Sequence, residues 1–185
     1  FRIQQINKIS LTESRGCGII FLEYYKKADR TLDLPAGFWR KAVLIEFVTE
    51  KNREEYEAFV MSHPYGHFMQ SYLWGRVKDN WMWEGVISRG ADGVIRGAMG
   101  ILIRRLPVVP WTIMYAGRAP VCDPHDRETI RELISGARQL AKRYRSYELK
   151  MDPAVLSSDT AFADIMRAEG FRISEGSKNF EGVQP

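Results

Sequence analysis

The strongest folding signal in the chain is residues 126–144, where apolar side chains recur at the 3.6-residue period of an α-helix. The apolar positions of this stretch are Ile130, Leu133, Ile134, Ala137, Leu140 and Ala141. Residues 147–151 follow soon after and alternate apolar with charged side chains, which is typical of a half-buried strand. A one-sided helix must bury its apolar stripe against another element. The two segments therefore predict helices packed on a β-sheet.

The rest of the chain supplies further elements of both kinds. The sequence predicts strands over residues 42–49, 81–88, 94–104, 111–115, 147–151 and 171–180, and helices over residues 50–62, 71–78, 126–144 and 159–168. Thr49 and Ser71 are the expected starts of the first two helices, and Gly170 is the expected C-terminal cap of the last. Asp92-Gly93 lies between two strand patterns and indicates a hairpin. This order predicts a mixed α/β domain with a largely antiparallel sheet flanked by helices, and the same order occurs in GNAT-type acyltransferases.

Composition and charge exclude several classes of protein. With 45% hydrophobic and 27% charged residues over 185 positions, the chain has globular proportions, so extensive disorder is excluded. The net charge of +4 permits a polyanionic partner without requiring one. Cys17 and Cys122 cannot staple a domain of this size and lack zinc-site spacing, which favours a reducing compartment. No apolar run reaches the roughly 18–20 residues that cross a bilayer.

Three sequence blocks together carry a resemblance to a known family. They are residues 67–78 (His-Phe-Met-Gln-Ser-Tyr-Leu-Trp-Gly-Arg-Val-Lys), residues 115–123 (Tyr-Ala-Gly-Arg-Ala-Pro-Val-Cys-Asp), and residues 149–153 (Leu-Lys-Met-Asp-Pro) followed by Glu169-Gly170-Phe171 and Gln184-Pro185. In this order and spacing they resemble the first domain of the FemABX family, the peptidoglycan interpeptide-bridge aminoacyltransferases. The resemblance covers residues 44–185.

The resemblance also defines the expected domain organisation. Residues 1–41 are expected to form an extension of uncertain structure, and residues 42–185 a GNAT-like first domain. Family members are built from two such domains, and the second is expected to be absent from this chain. One departure lies inside the central motif, where Ala119 occupies the position of a glycine. If that position needs a positive φ, alanine strains the loop; if it needs only a small side chain, alanine fits.

The resemblance implies an enzyme that moves an amino acid from aminoacyl-tRNA to the stem peptide of a peptidoglycan precursor. The acceptor would be a lipid-linked or UDP-linked muropeptide, whose amine must be uncharged when it attacks. Because the ester of the donor is already activated, neither a metal nor a nucleotide cofactor is expected. The implied location is the cytoplasm, with peripheral contact with the inner face of the plasma membrane and no transmembrane segment.

Four motif residues are expected to bind substrate. Lys78 matches the family position associated with binding the precursor and would reach a diphosphate, although a solvated lysine also suits a helix C-terminus. Trp74 lies one helical turn earlier and would stack on a uracil ring, but its spacing favours a place in the core. Arg118 and Tyr115 belong to the central motif. A guanidinium in a loop after a strand grips phosphate or carboxylate, or else pairs with a nearby aspartate.

Asp123 is the candidate catalytic residue. It matches the aspartate of the central motif, and its carboxylate would accept the proton of the attacking amine or orient the substrate. The competing interpretation is an N-cap of the long helix, with Pro124 at the first helical position, and this is the more common use of such a sequence. The segment 70–78 and the loop 118–123 are expected to meet at one pocket lip.

Other polar residues are given structural roles. Asp152-Pro153 predicts a turn, and Gln70 and Ser71 predict loop-bonding or capping groups. No chemistry is assigned to the histidines, because they lack metal-ligand spacing and a nucleophile partner. They are His63, His67 and His125. The long helix ends in a basic cluster of Arg138, Lys142, Arg143 and Arg145. The cluster complements the helix C-terminus, and a tRNA or an anionic membrane would also use it.

Two other functions stay open from the sequence. A non-catalytic fragment that binds precursor or tRNA fits the short chain. An acyl-CoA N-acetyltransferase fits the order of elements, but it needs a glycine-rich turn that holds a pyrophosphate at a helix start. Residues 150–154 (Lys-Met-Asp-Pro-Ala), which follow the strand before the last helix, contain no such turn.

Overall fold

The computed structural model describes residues 19–23 and 45–174, which contain seven strands and four α-helices. The strands are β1 (Ile19–Glu23), β2 (Ile45–Phe47), β3 (Met82–Arg89), β4 (Ile95–Arg105), β5 (Thr112–Gly117), β6 (Ser146–Asp152) and β7 (Arg172–Ser174). The helices are α1 (Arg53–Ser62), α2 (Tyr72–Val77), α3 (Arg127–Tyr144) and α4 (Thr160–Ala168), with a 3-10 turn at Phe68–Gln70 before α2. The helices and strands expected from the sequence are present, in the expected order.

The described strands form one seven-stranded sheet in the order β2-β3-β4-β5-β6-β1-β7. Neighbours from β2 to β5 are antiparallel, so the expected three-strand meander of β3, β4 and β5 is confirmed. β5 and β6 are parallel and are joined by the crossover helix α3. β1 lies between β6 and β7 and is antiparallel to both. Within residues 1–41, for which the sequence predicts no regular element, the structure thus adds one strand.

Helix α3 packs on one face of the sheet. Its partners from the strands are Val86, Met99, Ile101, Ile103, Met114, Ala116, Leu149 and Met151. The apolar positions of α3 that the 3.6-residue period identifies, from Ile130 to Ala141, are all buried in this cluster. The amphipathic pattern therefore identified the main core correctly.

The opposite face of the sheet carries α1 and α2, and we call it the α2 face. Tyr56 and Val60 of α1 pack there in one cluster. A second cluster contains Met69, Trp81, Leu102, Ile113 and Tyr115. Leu102 belongs to this face because it lies between two residues of β4 that point towards α3, and successive side chains of a strand alternate.

Short polar side chains cap the helices, as they do in other proteins. Ser71 Oγ accepts a hydrogen bond from Leu73 N (3.0 Å) at the start of α2, as expected. Asp126 and Asp159 cap α3 and α4 in the same way. Gly170, after α4, has a φ of +86°, the left-handed conformation predicted for the residue that ends this helix.

The expected cap of the first helix at Thr49 is wrong. α1 begins only at Arg53, and Asn52 is the residue before it. The Asn52 Oδ1 atom accepts the Thr49 N–H (2.6 Å), while the Asn52 amide donates to the Phe47 carbonyl (3.1 Å). These bonds hold residues 49–52 in a turn, so the helix cannot start at Glu50.

Two predicted strands are shorter in the described residues than expected. The first, expected over residues 42–49, is observed as β2, and residues 42–44 lie outside the described residues. The last, expected over residues 171–180, is observed as β7, and residues 175–180 lie outside them as well.

We expect Leu133→Ala to lower the free energy of unfolding by about 2–5 kcal/mol, because the substitution leaves a cavity between α3 and the sheet. Leu133 is fully buried in this cluster. Leu156, which is 80% exposed, provides the matched control, and Leu156→Ala should change stability by less than about 0.5 kcal/mol. Urea unfolding followed by circular dichroism measures both. Equal losses in the two variants would contradict the packing described.

Candidate functional site

The buried side chain of Gln70 joins the segment before α2 to the middle of the sheet. Its Nε2 donates to the carbonyl oxygens of Gly100 (3.2 Å) and Gly117 (2.5 Å), and its Oε1 accepts from Gly100 N (2.8 Å). Tyr56 of α1 donates its hydroxyl to the Gln70 carbonyl (2.6 Å). Gln70 is a loop-bonding group, as predicted, and it brings the start of α2 next to the end of β5.

The adjacent ends of β5 and β6 bring a carboxylate and two donors together. Asp152, the last residue of β6, accepts hydrogen bonds from the Tyr115 hydroxyl (3.1 Å) and from Arg118 N (2.8 Å). Burial raises the pKa of the Asp152 carboxyl, and these donors together with the Arg118 charge oppose the rise. The result is a half-buried carboxylate that is easier to protonate than an ordinary aspartate.

His67 lies close enough to this carboxylate for the two to interact electrostatically. Its Nδ1 accepts a hydrogen bond from Met69 N (3.2 Å), so the neutral ring carries its proton on Nε2. Burial lowers the pKa of His67, the positive charge of Arg118 lowers it further, and Asp152 opposes this shift. His67 therefore presents a neutral imidazole near Arg118 and Asp152.

An aromatic row of His67, Phe68 and Trp74 runs from this carboxylate towards the end of α2. The rings of His67 and Phe68 are 4.5 Å apart, and Phe68 meets Trp74 edge-on at 5.2 Å. Lys78 Nζ lies 4.7 Å from the centroid of the Trp74 ring, a cation–π contact. One end of the row, at His67, is therefore within electrostatic range of the Asp152 carboxylate, and the other end carries the Lys78 ammonium group.

The expected substrate-binding residues lie along this row or at its end. Trp74 packs against the second apolar cluster of the α2 face, and its ring lies against the Lys78 ammonium group. Stacking of Trp74 on a substrate ring stays a prediction. Tyr115 is buried with its hydroxyl on Asp152, and Arg118 follows directly after β5. The segment 70–78 meets the end of β5 at Gly117, directly before the loop 118–123. A single pocket lip that includes the whole loop stays a prediction.

Ala119 fits the motif position that is glycine in the family resembled. The positive φ of this loop belongs to Arg118 (58°), whereas Ala119 has none and is fully buried. The peptide bond between Ala119 and Pro120 is cis. The position therefore requires a small side chain rather than a left-handed backbone, which resolves the alternative left open by the sequence.

Asp123 lies apart from the aromatic row. Its carboxylate accepts the His125 N–H (2.8 Å) in the turn before α3, and its side chain is exposed. Among the described residues, its polar contacts are with His125 rather than with Asp152. The competing N-cap interpretation of Asp123 is wrong, because Asp126 is the residue that caps α3. A catalytic role for Asp123 stays a prediction.

Asp152 and His67 are site residues that the sequence did not identify. Asp152-Pro153 predicted only a turn, and no chemistry was assigned to His67. One signal was available for Asp152, since it ends a strand that pairs in parallel with β5, and ligands bind beyond the carboxyl ends of such strands. No comparable signal marks His67, because its neighbours in space are distant in sequence.

Among the described residues, Cys122 is a free cysteine, and it is buried. Burial raises the pKa of Cys122 to about 12, so this cysteine stays a protonated thiol. In residues 19–23 and 45–174, no group of three or more His, Cys, Asp or Glu side chains is placed to hold a metal ion. In the same part of the chain, no helix has the length and hydropathy to span a bilayer.

Comparison with known proteins points to one family. The model of the FemAB family matches residues 51–169. Lipid II:glycine glycyltransferase of Staphylococcus aureus (strain bovine RF122 / ET3-1) is 33% identical over 138 residues, which cover 71% of this chain and 32% of the relative. The crystal structure of FemX matches with a TM-score of 0.62 at 30% identity, over 68% of this chain and 31% of that one. The chain thus spans about a third of the length of these relatives.

A more distant solved structure shares the fold. It is the crystal structure of a probable acetyltransferase, with a TM-score of 0.54 at 12% identity, over 76% of this chain and 96% of that one. At this identity the likeness concerns the fold alone. The expected GNAT-like α/β fold, with a mixed and largely antiparallel sheet flanked by helices, is confirmed.

We expect Gln70→Ala to lower the free energy of unfolding by about 2–4 kcal/mol, because it leaves buried backbone groups of Gly100 and Gly117 without partners. Urea unfolding measures the loss. Gln139→Ala, at an exposed position of α3, is the matched control and should stay within about 0.5 kcal/mol of the unchanged chain. A Gln70 variant as stable as its control would show that this amide does not hold the site together.

We expect the difference in unfolding free energy between Asp152→Asn and the unchanged chain to depend on pH. The folded-state pKa of Asp152 lies above its ordinary value, so the folded chain binds more protons than the unfolded chain in that window. The unchanged chain therefore loses stability as pH rises through the raised pKa, whereas asparagine removes this loss. Urea unfolding between about pH 4 and pH 8 should show the variant improving relative to the unchanged chain as pH rises. A constant or opposite trend would contradict the raised pKa.

Proposed function

Because the chain belongs to the FemAB family, we propose that it forms part of an aminoacyltransferase that adds an amino acid to the stem peptide of a peptidoglycan precursor. The observation that supports this function is the side-chain row on the α2 face, from Lys78 through the aromatic rings to Asp152. A phosphate-bearing glycopeptide requires a cation for its phosphates, ring surfaces for its sugars and a carboxylate near its amine. The row offers these groups in that order.

Lys78 is the proposed contact for the diphosphate of the precursor. The Trp74 ring attracts the positive charge of the Lys78 ammonium group and so holds it in place. The ammonium group has three N–H donors, which can donate hydrogen bonds to phosphate oxygens. A diphosphate is common to lipid-linked and UDP-linked muropeptides, so this contact serves either acceptor. Trp74 and its neighbour Phe68 would then offer ring surface to the part of the precursor that follows.

At the other end of the row, Asp152 is the proposed proton acceptor. The amine of the stem peptide must lose a proton before it attacks the ester carbon of an aminoacyl-tRNA, and an ionised Asp152 would take that proton. The new bond joins the amine nitrogen to the carbonyl carbon. The ester C–O bond then breaks, and the tRNA hydroxyl leaves with the second proton of the nitrogen. Tyr115 and Arg118 orient the carboxylate through the hydrogen bonds described above.

Aminoacyl-tRNA is the proposed donor, because its ester needs no further activation. For the same reason the proposed reaction uses neither a metal nor a nucleotide cofactor. The cytoplasm is the proposed location, with the protein working at the inner face of the plasma membrane when the acceptor is lipid-linked. Residues 42–185, together with strand β1 of the preceding segment, are proposed to correspond to the first of two GNAT-like domains.

We expect Lys78→Ala and Arg118→Ala each to weaken precursor binding about tenfold or more. The first removes the cation proposed for the diphosphate, and the second removes a guanidinium proposed to bind a phosphate or carboxylate of the precursor. Titration calorimetry with a soluble UDP-linked muropeptide measures the affinity, and urea unfolding checks that both variants fold. Lys51→Ala is the matched control, since Lys51 is exposed in the turn before α1 and should leave the affinity unchanged. Unchanged affinity in both variants would show that the row is not the precursor site.

The roles of Asp152 and Asp123 are separated by a matched pair of variants. We expect Asp152→Asn to lower amino acid transfer from charged tRNA about a hundredfold or more, because general base catalysis contributes on this scale. Asp123→Asn should cost much less, since its carboxylate is exposed in the turn before α3. The opposite ranking would return the catalytic role to Asp123, as the sequence motif predicts.

The same assay decides between the alternative functions. It is run with this chain and with a chain extended past Pro185 along its natural reading frame, using lysine, alanine, glycine and serine on tRNA. Precursor binding without transfer in either protein would favour a non-catalytic binding module. Acetyl transfer from acetyl-CoA would favour an N-acetyltransferase instead.

A further inference from the structure

The loop of residues 106–111 between β4 and β5, here called the tip loop, presents apolar side chains to solvent. Val108 is fully exposed (104%), Trp111 is 54% exposed, and Val109 is also exposed. Val108 has a φ of +74°, a left-handed conformation that is costly for a β-branched residue. The tip loop (Leu-Pro-Val-Val-Pro-Trp) contains no charged residue. A contiguous exposed run of this kind marks a contact surface, unlike a single exposed valine.

Arginines surround the base of the tip loop. Arg105, Arg143 and Arg145 line, together with Trp111, a cavity of about 450 Å³ beside the loop. Arg143 lies 4.0 Å from the Glu84 carboxylate. In the ranges that the structure describes, no ion pair involves Arg105 or Arg145. The cavity therefore has an excess of positive charge and is suited to a phosphate group.

The tip loop lies at the same end of the α2 face as Lys78. Trp81 N donates to the Lys78 carbonyl (2.9 Å), and the Arg104 guanidinium lies 5.7 Å from the Trp81 ring. Leu106, the first residue of the tip loop, packs on the same apolar cluster as Trp81. Asp152 lies at the opposite end of β5, a strand of six residues that spans about 17–20 Å.

We propose that the tip loop and its arginines dock on the surface of an anionic phospholipid bilayer, with Val108, Val109 and Trp111 in the interface and a lipid phosphate in the arginine cavity. The proposal rests on the proposed function with a lipid-linked acceptor. In that arrangement the amine of the acceptor lies at Asp152, its diphosphate lies at Lys78, and its lipid continues towards the tip loop. The bilayer surface then lies on the side of the protein from which the lipid must come.

The chemistry of the surface favours a bilayer over RNA. Tryptophan is enriched at membrane interfaces, where its ring is apolar and its N–H is polar, and arginine binds lipid phosphates. The exposed side chains of Val108 and Val109 gain free energy when they are buried in hydrocarbon but have no partner on a phosphate backbone, because nucleic-acid interfaces are polar. The tip loop therefore supplies both parts of a peripheral membrane contact, an apolar tip and a basic rim.

Vesicle co-sedimentation of the full 185-residue chain tests the proposal. Vesicles of equal parts phosphatidylglycerol and phosphatidylcholine should bind the chain, and vesicles of phosphatidylcholine alone should bind it far less. Val108→Asp should abolish binding by placing a charge at the apolar tip. Arg105→Gln combined with Arg145→Gln should weaken binding about 25-fold, since each basic residue near an anionic surface contributes about fivefold.

Matched controls separate these effects from unfolding and from net charge. Val94→Asp introduces the same charge at a 61% exposed valine in the turn between β3 and β4. Arg127→Gln combined with Arg167→Gln removes two charges from exposed positions elsewhere. Both controls should bind anionic vesicles within about twofold of the unchanged chain, and circular dichroism should show all variants folded. In addition, bromine-labelled lipid should quench tryptophan fluorescence in the unchanged chain and much less in Trp111→Phe.

Three results would overturn the proposal. They are an unchanged chain that ignores anionic vesicles, a Val108→Asp variant that binds as well as Val94→Asp, and tip-loop variants that lose tRNA binding while keeping vesicle binding. Titration with the soluble UDP-linked muropeptide separates this proposal from the proposed function. If the muropeptide binds while vesicles do not, the membrane surface alone is wrong. If vesicles bind while the muropeptide does not, the precursor site is wrong and the membrane surface stands.

Discussion

The side-chain amide of Gln70 is the contact on which the geometry of the site depends. It is buried, and its three hydrogen bonds reach the backbones of β4 and β5. A neutral amide suits this position because it both donates and accepts, so it satisfies the N–H and C=O groups of strands without burying a charge. The residues of the aromatic row and Lys78 all lie within eight positions of Gln70 in the sequence, on one side of it or the other. Their position on the sheet is therefore set by one polar group inside an apolar face.

Much of the fold was predictable because it follows from local patterns. The apolar stripe of α3 and the alternation in β6 each require only neighbouring residues, and both proved correct. The hairpin at Asp92-Gly93 is likewise a local signal, and β3 and β4 pair as it predicts. The start of α1 was wrong for a related reason. Thr49 and Asn52 are both good cap residues, and the hydrogen bonds that Asn52 makes to Thr49 and to the Phe47 carbonyl decide between them.

The site was predictable only in part, since its chemistry depends on contacts between segments far apart in sequence. Motif residues such as Lys78 and Arg118 could be named from the resemblance. Asp152 could not be named in this way. Its pKa is raised by burial, and its hydrogen bonds come from Tyr115 and Arg118, which are distant from it in sequence. The strand β1 was also missed. β1 pairs with β6 and β7, which are distant in sequence, and the residues around β1 show no periodicity that predicts a strand.

The two ends of the α2 face differ in a way that gives the site a direction. At the Asp152 end a carboxylate is half-buried, and burial strengthens its interactions with Tyr115 and Arg118. At the Lys78 end, cations stand on aromatic rings near an exposed apolar loop, where water screens charge more strongly. A proton transfer benefits from the first environment, and reversible binding of phosphate benefits from the second. The elongated precursor of the proposed function, with phosphates at one end and an amine at the other, would match this polarity in one orientation only. The reverse orientation would place its phosphates against the Asp152 carboxylate, and like charges repel most where solvent is excluded.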